Sequence, residues 1–213
     1  MKLKKTLIFT ATYNEKENIS KLLDKIISLK LDSDVYVIDD NSPDKTYEIL
    51  KNYSEKYTFI TCKVRPNKLG LDTAHKEAYQ FAKVNRYQNF ISMDADMSHD
   101  PNELRNFISL LDRFPFVIGS RYIEGGKNKM SGFRFILSFF GNLLIKKILK
   151  LPYTEFTTSY RGFNLDKLKN FDLNVVHSKG YSFFMETIFR IHKSNFKIKE
   201  IPIIFENRTK GKS

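Results

Sequence analysis

Short apolar runs rich in β-branched and aromatic residues recur along the chain at positions 7–10, 35–39, 59–64, 90–93 and 116–118. Between them, over 16–29, 45–57, 71–84 and 102–113, apolar residues return every third or fourth position, the period of an amphipathic helix. This regular exchange of strand and helix predicts βαβ units and a mostly parallel sheet flanked by helices. Ligands of such sheets bind beyond the carboxyl ends of the strands. The segments at those ends read TATYNE, DDNSPD, RPNKLG, DADMSHDP and GSRYIEGG.

After Gly126 the pattern changes to a basic helix over 133–151, a polar strand-like stretch TEFTTSYRGF, a helix over 182–194 and a last strand over 197–205. No Gly-, Pro- or Ser-rich linker divides the halves, about 1–125 and 126–213, and 213 residues suffice for one sizeable core, so a single α/β domain is expected. The most apolar stretch, FRFILSFFGNLLIKKILKL, is broken by Ser138, Gly141, Asn142 and the pair Lys146, Lys147. It falls short of the roughly 18 uninterrupted apolar residues of a membrane span. Its pattern suits both a helix lying on a membrane surface and one packed on the core.

Charge narrows the partners only a little. A net charge of +12 and a pI near 9.6 favour something anionic: nucleic acid, a phosphorylated small molecule or a membrane surface. The lysines are spread through every helix while the acids gather at strand ends, which is the reverse of a nucleic-acid groove, so no nucleic-acid partner is expected. Cys62 is the only cysteine, which excludes an intrachain disulfide and fits a reducing compartment. The N-terminal apolar run is too short for a signal peptide and lacks a cleavage pattern, so a cytoplasmic location is expected. No GxGxxG follows the first strand, which disfavours a dinucleotide site.

Candidate chemistry concentrates in DADMSHDP. In an extended segment Asp94 and Asp96, two apart, point the same way, and converging carboxylates repel unless a cation lies between them. Mg2+ or Mn2+ suits such a pair, because hard divalent ions take one or two carboxylates and complete their shell with water and phosphate. Alone, an Asp-x-Asp fits a solvated turn equally well. Ser98 adds a hydroxyl for the cation, while Asp100 and Pro101 read as a helix N-cap and first turn. Upstream, Asp40 is placed to accept hydrogen bonds from a base or ribose, and capping of the next helix fits Asp44 better. Arg121, Arg134, Arg161 and Arg208 are candidates for bidentate phosphate contacts.

TYNEKENI, VYVIDDNSPDKT, KLGLDTAHKEAY, MDADMSHDP, VIGSRYIEGG, KGYSFFME and IPIIFENRTKGKS, in that order, resemble glycosyltransferase family 2, and most closely its dolichyl-phosphate mannosyltransferase group. The resemblance implies a GT-A fold, with a nucleotide- and metal-binding first half and an acceptor second half. It further implies inverting, metal-dependent transfer of a sugar, commonly mannose from GDP-mannose, to a polyprenyl (dolichyl) phosphate at the cytosolic face of a membrane. Carried over by position, Ala11, Tyr13, Glu15, Ile38, Asp40 and Ala95 would cradle the nucleoside, with Asp94, Asp96 and Ser98 at the metal. Arg121, Arg134, Ser182 and Arg208 would meet the phosphates and acceptor. Three positions depart from the family pattern: Ala11 stands for a proline, Ser159 for a glycine and Glu155 for an aspartate. A family 2 enzyme acting on a sugar hydroxyl is the alternative, and it would need a carboxylate base, Asp100 or Glu186.

Overall fold

The computed structural model describes residues 4–130 and 133–207. Strands and helices alternate through the first half as β1 (Lys4–Thr12), α1 (Ile19–Ser28), β2 (Ser33–Asp39), α2 (Thr46–Lys56), β3 (Ile60–Val64), α3 (Leu71–Val84), β4 (Tyr87–Ser92), α4 (Leu104–Leu111) and β5 (Phe116–Ser120). The second half adds β6 (Lys127–Asn128), α5 (Phe133–Leu149), β7 (Arg161–Asn164), α6 (Tyr181–Lys193), β8 (Ile198–Pro202) and β9 (Ile204–Phe205). A seven-stranded sheet runs in the order β3-β2-β1-β4-β7-β5-β8, with β6 and β9 forming a separate pair. All of its pairings are parallel except those of β7, which runs antiparallel between β4 and β5.

Alternate strand residues are buried on opposite faces, so both faces need a helical cover. Leu7, Phe9, Tyr36, Ile38, Phe90, Phe116 and Ile118 pack with Ala74, Ala78, Tyr79 and Ala82 of α3 and with Phe183, Phe184, Ile188 and Ile191 of α6. Their neighbours Ile8, Val35, Val37, Ile91 and Val117 pack with Ile19, Leu22, Leu23 and Ile26 of α1, Leu50 of α2, and Leu104, Phe107 and Leu111 of α4. Because β1, β2, β4 and β5 share one direction, the loops that follow them collect along a single edge of the sheet.

Two expected elements differ. Of TEFTTSYRGF only the last three residues, 161–163, lie in a strand, β7. Side chains take the amides that a ladder would have used: Glu200 accepts from the Thr154 and Glu155 N–H (2.9 and 3.0 Å), Asn142 from Phe156 N–H (2.8 Å), and Glu155 from Thr157 and Thr158 N–H (3.0 and 3.2 Å). The last strand is divided at buried Ile203, whose amide crosses to Ser120 O at 3.0 Å.

Candidate active site

At the end of β2 the two aspartates do different work. Asp39 is fully buried and accepts from Thr12 Oγ1 (2.7 Å), Ser42 N–H (2.9 Å) and Ser42 Oγ (2.5 Å), closing the DDNS turn onto β1. Asp40 receives the Arg65 guanidinium on Oδ1, and the Leu69 and Gly70 amides on Oδ2, both at 3.2 Å. Arg65 is itself buried and continues to Thr73 Oγ1 (2.7 Å) and Gly70 O (3.1 Å). Nothing in the periodicity singled out Arg65. The available sign is a cation directly after the end of β3. Asp44 takes the capping role, accepting from Thr46 N–H at 3.0 Å and Thr46 Oγ1 at 2.6 Å. Partial burial raises its carboxyl, but the Thr46 and Lys16 hydrogen bonds outweigh that and hold it below the usual range.

The other residues expected around a nucleoside lie on this edge or just beneath it. Ala11 and Tyr13 are half-buried on and after the end of β1, with Lys68 Nζ 3.9 Å above the Tyr13 ring. Glu15 accepts from Asn18 Nδ2 at 2.8 Å and caps the start of α1 through its carbonyl. Ile38 is wholly inside the core.

The acidic loop follows β4. Met97 adopts a left-handed backbone (φ 65°), and the resulting tight turn brings Asp96 Oδ1 to Ser98 N–H (3.0 Å) and Ser98 Oγ (2.6 Å). Asp94 Oδ1 accepts the Ser159 hydroxyl, while the Asp94 amide donates to His99 Nδ1 at 3.1 Å. With Nδ1 accepting, the hydrogen of His99 resides on Nε2, which faces Thr158 Oγ1 at 3.2 Å. Burial pushes the imidazole below its ordinary pKa against the pull of Asp94 and Asp96, so His99 is neutral. Asp94 and Asp96 are half-buried, and among the described residues neither Oδ2 accepts a hydrogen bond. Among the described residues no group of three or more His, Cys, Asp or Glu is placed to hold a metal. The site thus offers two carboxylates, a donor count that suits a hard divalent ion sharing its shell with water and phosphate. Asp100 accepts from Asn102 N–H at 3.0 Å and Pro101 opens the next turn, as expected.

Arg121 leaves the end of β5 and meets Glu155, whose side chain has no exposure. Nε and Nη2 reach the two carboxylate oxygens at 2.6 and 2.8 Å, and Nη2 also reaches Thr157 Oγ1 at 2.9 Å. Desolvation works against ionised Glu155, but the Arg121 charge and hydrogen bonds prevail and keep its carboxyl below the usual range. Arg161 is not at the open edge. It is 1% exposed and donates to the carbonyls of Thr158 (2.7 Å), Phe184 (2.6 Å) and Phe156 (3.0 Å), pinning α6 to the 156–158 segment. Ser182 is exposed in the first turn of α6. The Arg134 side chain and all of Arg208 lie outside the described residues. Cys62 is a free thiol on β3, raised by burial to about 11, which makes it a poor nucleophile.

Beside this edge, α5 is fastened by the polar residues that interrupt its apolar run. Asn142 is 3% exposed and accepts the Phe156 amide, while Ser138 Oγ and Tyr122 OH meet at 2.8 Å. Its other face leaves Ile136, Phe139, Phe140, Leu143, Leu144 and Ile148 exposed. No helix among the described residues is long and apolar enough to cross a membrane.

A mostly parallel sheet of this order, with an acidic loop on its carboxyl edge, is the GT-A glycosyltransferase fold. Two solved structures share it. A mannosyltransferase from Pyrobaculum calidifontis in complex with GDP-Man and Mn2+ aligns with a TM-score of 0.66 at 18% identity, over 96% of this chain and 57% of that one. Glucosyl-3-phosphoglycerate synthase from Mycobacterium tuberculosis, with Mn2+, UDP and glucosyl-3-phosphoglycerate, gives 0.69 at 12% identity, over 98% and 73%. Residues 7–172 match the glycosyl transferase family 2 profile. An undecaprenyl-phosphate mannosyltransferase from Micrococcus luteus is 32% identical over 98% of this chain and 86% of its own length. A polyprenol monophosphomannose synthase from Mycolicibacterium smegmatis is 30% identical over 98% and 80%. The chain therefore belongs to glycosyl transferase family 2, and it is a glycosyltransferase.

Proposed function

We propose that the protein transfers mannose from GDP-mannose to a polyprenyl phosphate with inversion, at the carboxyl edge of the sheet and against the cytosolic surface of a membrane. The names of the two sequence relatives support the sugar and the acceptor, and the GDP-Man complex of the structural neighbour supports the donor. The observation that carries the reading is the pair Asp94 and Asp96, each with one oxygen engaged and the other left for a ligand. In this reading they would hold Mg2+ or Mn2+, with Ser98 acting through Asp96, and the cation would supply electrostatic stabilisation of negative charge on the diphosphate. Tyr13, Ala11, Glu15, Asp40 and Ala95 form the nucleoside side, with buried Ile38 supporting it from beneath. Arg121, Arg134, Ser182 and Arg208 serve the phosphates, with Arg121 oriented by Glu155.

The state of the two candidate bases supports a phosphate acceptor. A sugar hydroxyl must lose a proton in the transition state, whereas a lipid phosphate is already anionic and needs only to be positioned. Neither candidate base is poised. Glu186 accepts the His177 and Ser178 amides (3.0 and 2.8 Å) and the Arg190 guanidinium. Burial nudges its carboxyl up, yet these hydrogen bonds bring it down to about 2. Asp100 is spent on Asn102. The exposed apolar face of α5, with Lys146 and Lys147 in its last turn, suits an anionic membrane surface that would present the acceptor.

The test is a thermal-shift panel of GDP-mannose, UDP-glucose and UDP-N-acetylglucosamine with and without Mn2+, on wild type and Asp96→Asn. Radiolabelled transfer to polyprenyl phosphate and to an oligosaccharide follows. Stabilisation by GDP-mannose that needs both Mn2+ and Asp96, with label in the lipid fraction, is expected. Label in the oligosaccharide alone, or full turnover by Asp96→Asn, overturns the proposal.

A further inference from the structure

Three consecutive residues, Thr158, Ser159 and Tyr160, underlie the acidic loop, and each holds a different residue of it. Thr158 reaches it through His99, which accepts the Asp94 amide. Tyr160 donates its hydroxyl to Asp100 O at 3.1 Å, and its ring stacks on Phe107 with centroids 4.4 Å apart. Between them the Ser159 hydroxyl donates to Asp94 Oδ1. Ser159 is itself held in place, being 4% exposed with its carbonyl accepting from Ser92 Oγ at 2.6 Å.

Resting on the metal reading above, we infer that Ser159 is a positioning residue that turns Asp94 to bind a cation through Oδ2 alone, selecting small octahedral ions over Ca2+. A buried donor on one carboxylate oxygen fixes the plane of the group and opposes the two-oxygen grip that Ca2+ accepts in its larger, flexible shell. Mg2+ and Mn2+ sites are met by single oxygens from each carboxylate, with water and phosphate in the remaining positions. Donors behind a metal ligand set its orientation and strength, and their loss costs about 10–100-fold in affinity.

The experiment is an electron paramagnetic resonance titration of Mn2+ in the presence of GDP, with Ca2+ as competitor, on wild type, Ser159→Ala, Ser159→Gly and Ser159→Thr. Ser159→Ala and Ser159→Gly are expected to bind Mn2+ about tenfold more weakly while losing less affinity for Ca2+, so the Mn2+ to Ca2+ preference falls. Ser159→Thr retains the hydroxyl and the preference. Melting curves identify any variant that has lost its fold, and the two hydroxyl-free substitutions back each other up. Mn2+ binding and preference unchanged in a folded Ser159→Ala or Ser159→Gly protein refutes this inference alone. Failure of wild type to bind Mn2+ with GDP removes the metal reading as well.

Discussion

Replacing Glu155 by Gln keeps the size of the side chain and removes its charge, which isolates what the buried carboxylate does. Glu155 accepts from Arg121 Nε and Nη2, from the amides of Thr157 and Thr158, and from Thr157 Oγ1, all at 2.6–3.2 Å. Its partner's side chain is 5% exposed. An amide can accept on one atom only, so Glu155→Gln sets a donor against a donor and leaves the Arg121 charge uncompensated inside the protein. Breaking one side of a buried ion pair costs about 3–5 kcal/mol. A chain of this size loses about 2–4 °C of melting temperature per kcal/mol, so a fall of roughly 10 °C is expected. Urea unfolding followed by circular dichroism measures the free energy directly. Removing both charges, in Glu155→Gln with Arg121→Gln, should recover about 2 kcal/mol of that loss as coupling energy. A Glu155→Gln midpoint within the scatter of ordinary surface variants, about 0.5 kcal/mol, would refute the idea that the pair organises this edge.

Two further expectations follow from charge. Lys146→Glu with Lys147→Glu should weaken binding to anionic liposomes by at least about tenfold, since each basic residue near such a surface contributes about 1 kcal/mol, while hydrolysis of free donor stays unchanged. Unaltered sedimentation with liposomes would mean that α5 meets protein rather than lipid. For pH, Glu186 has a folded value of about 2, below its ordinary one, so its contribution is complete above the unfolded pKa of about 4.3 and is lost as pH falls toward 2. Glu186→Gln should therefore be less stable than wild type at pH 6 and flatten the stability slope between pH 4 and 2 (roughly). Parallel slopes for the two proteins would show that the carboxylate gains nothing from the His177 and Ser178 amides.

How much of this was legible in the chain depends on how far apart the determinants lie. The βα alternation of the first half, the cap at Asp100 and the turn residue Asp44 are local signals, each written within a few positions. The strand ends could be located to within a few residues because an apolar run stops abruptly when the backbone leaves the sheet. TEFTTSYRGF has the pattern of a longer strand than it forms, because period-two patterning does not reveal that Glu155, Asn142 and Glu200 take its amides. Ser138 and Asn142 look like interruptions of an apolar helix in the chain, whereas in the fold they are its anchors.

The sequence by itself determined the class of fold, the edge where the loops after the strands gather, and the two aspartates proposed to hold a cation there. Tertiary structure alone decided which charges are free to act. Arg161 was turned inward onto three carbonyls, Arg65 was recruited to Asp40 across 25 positions, and Arg121 was fixed by Glu155 across 34. Asp94 received a hydroxyl from 65 positions downstream. The reason is physical. Hydrophobic periodicity repeats at every turn or pleat and can be read from one segment, while a single hydrogen bond between distant residues leaves no repeat and exists only once the sheet has brought its strands together.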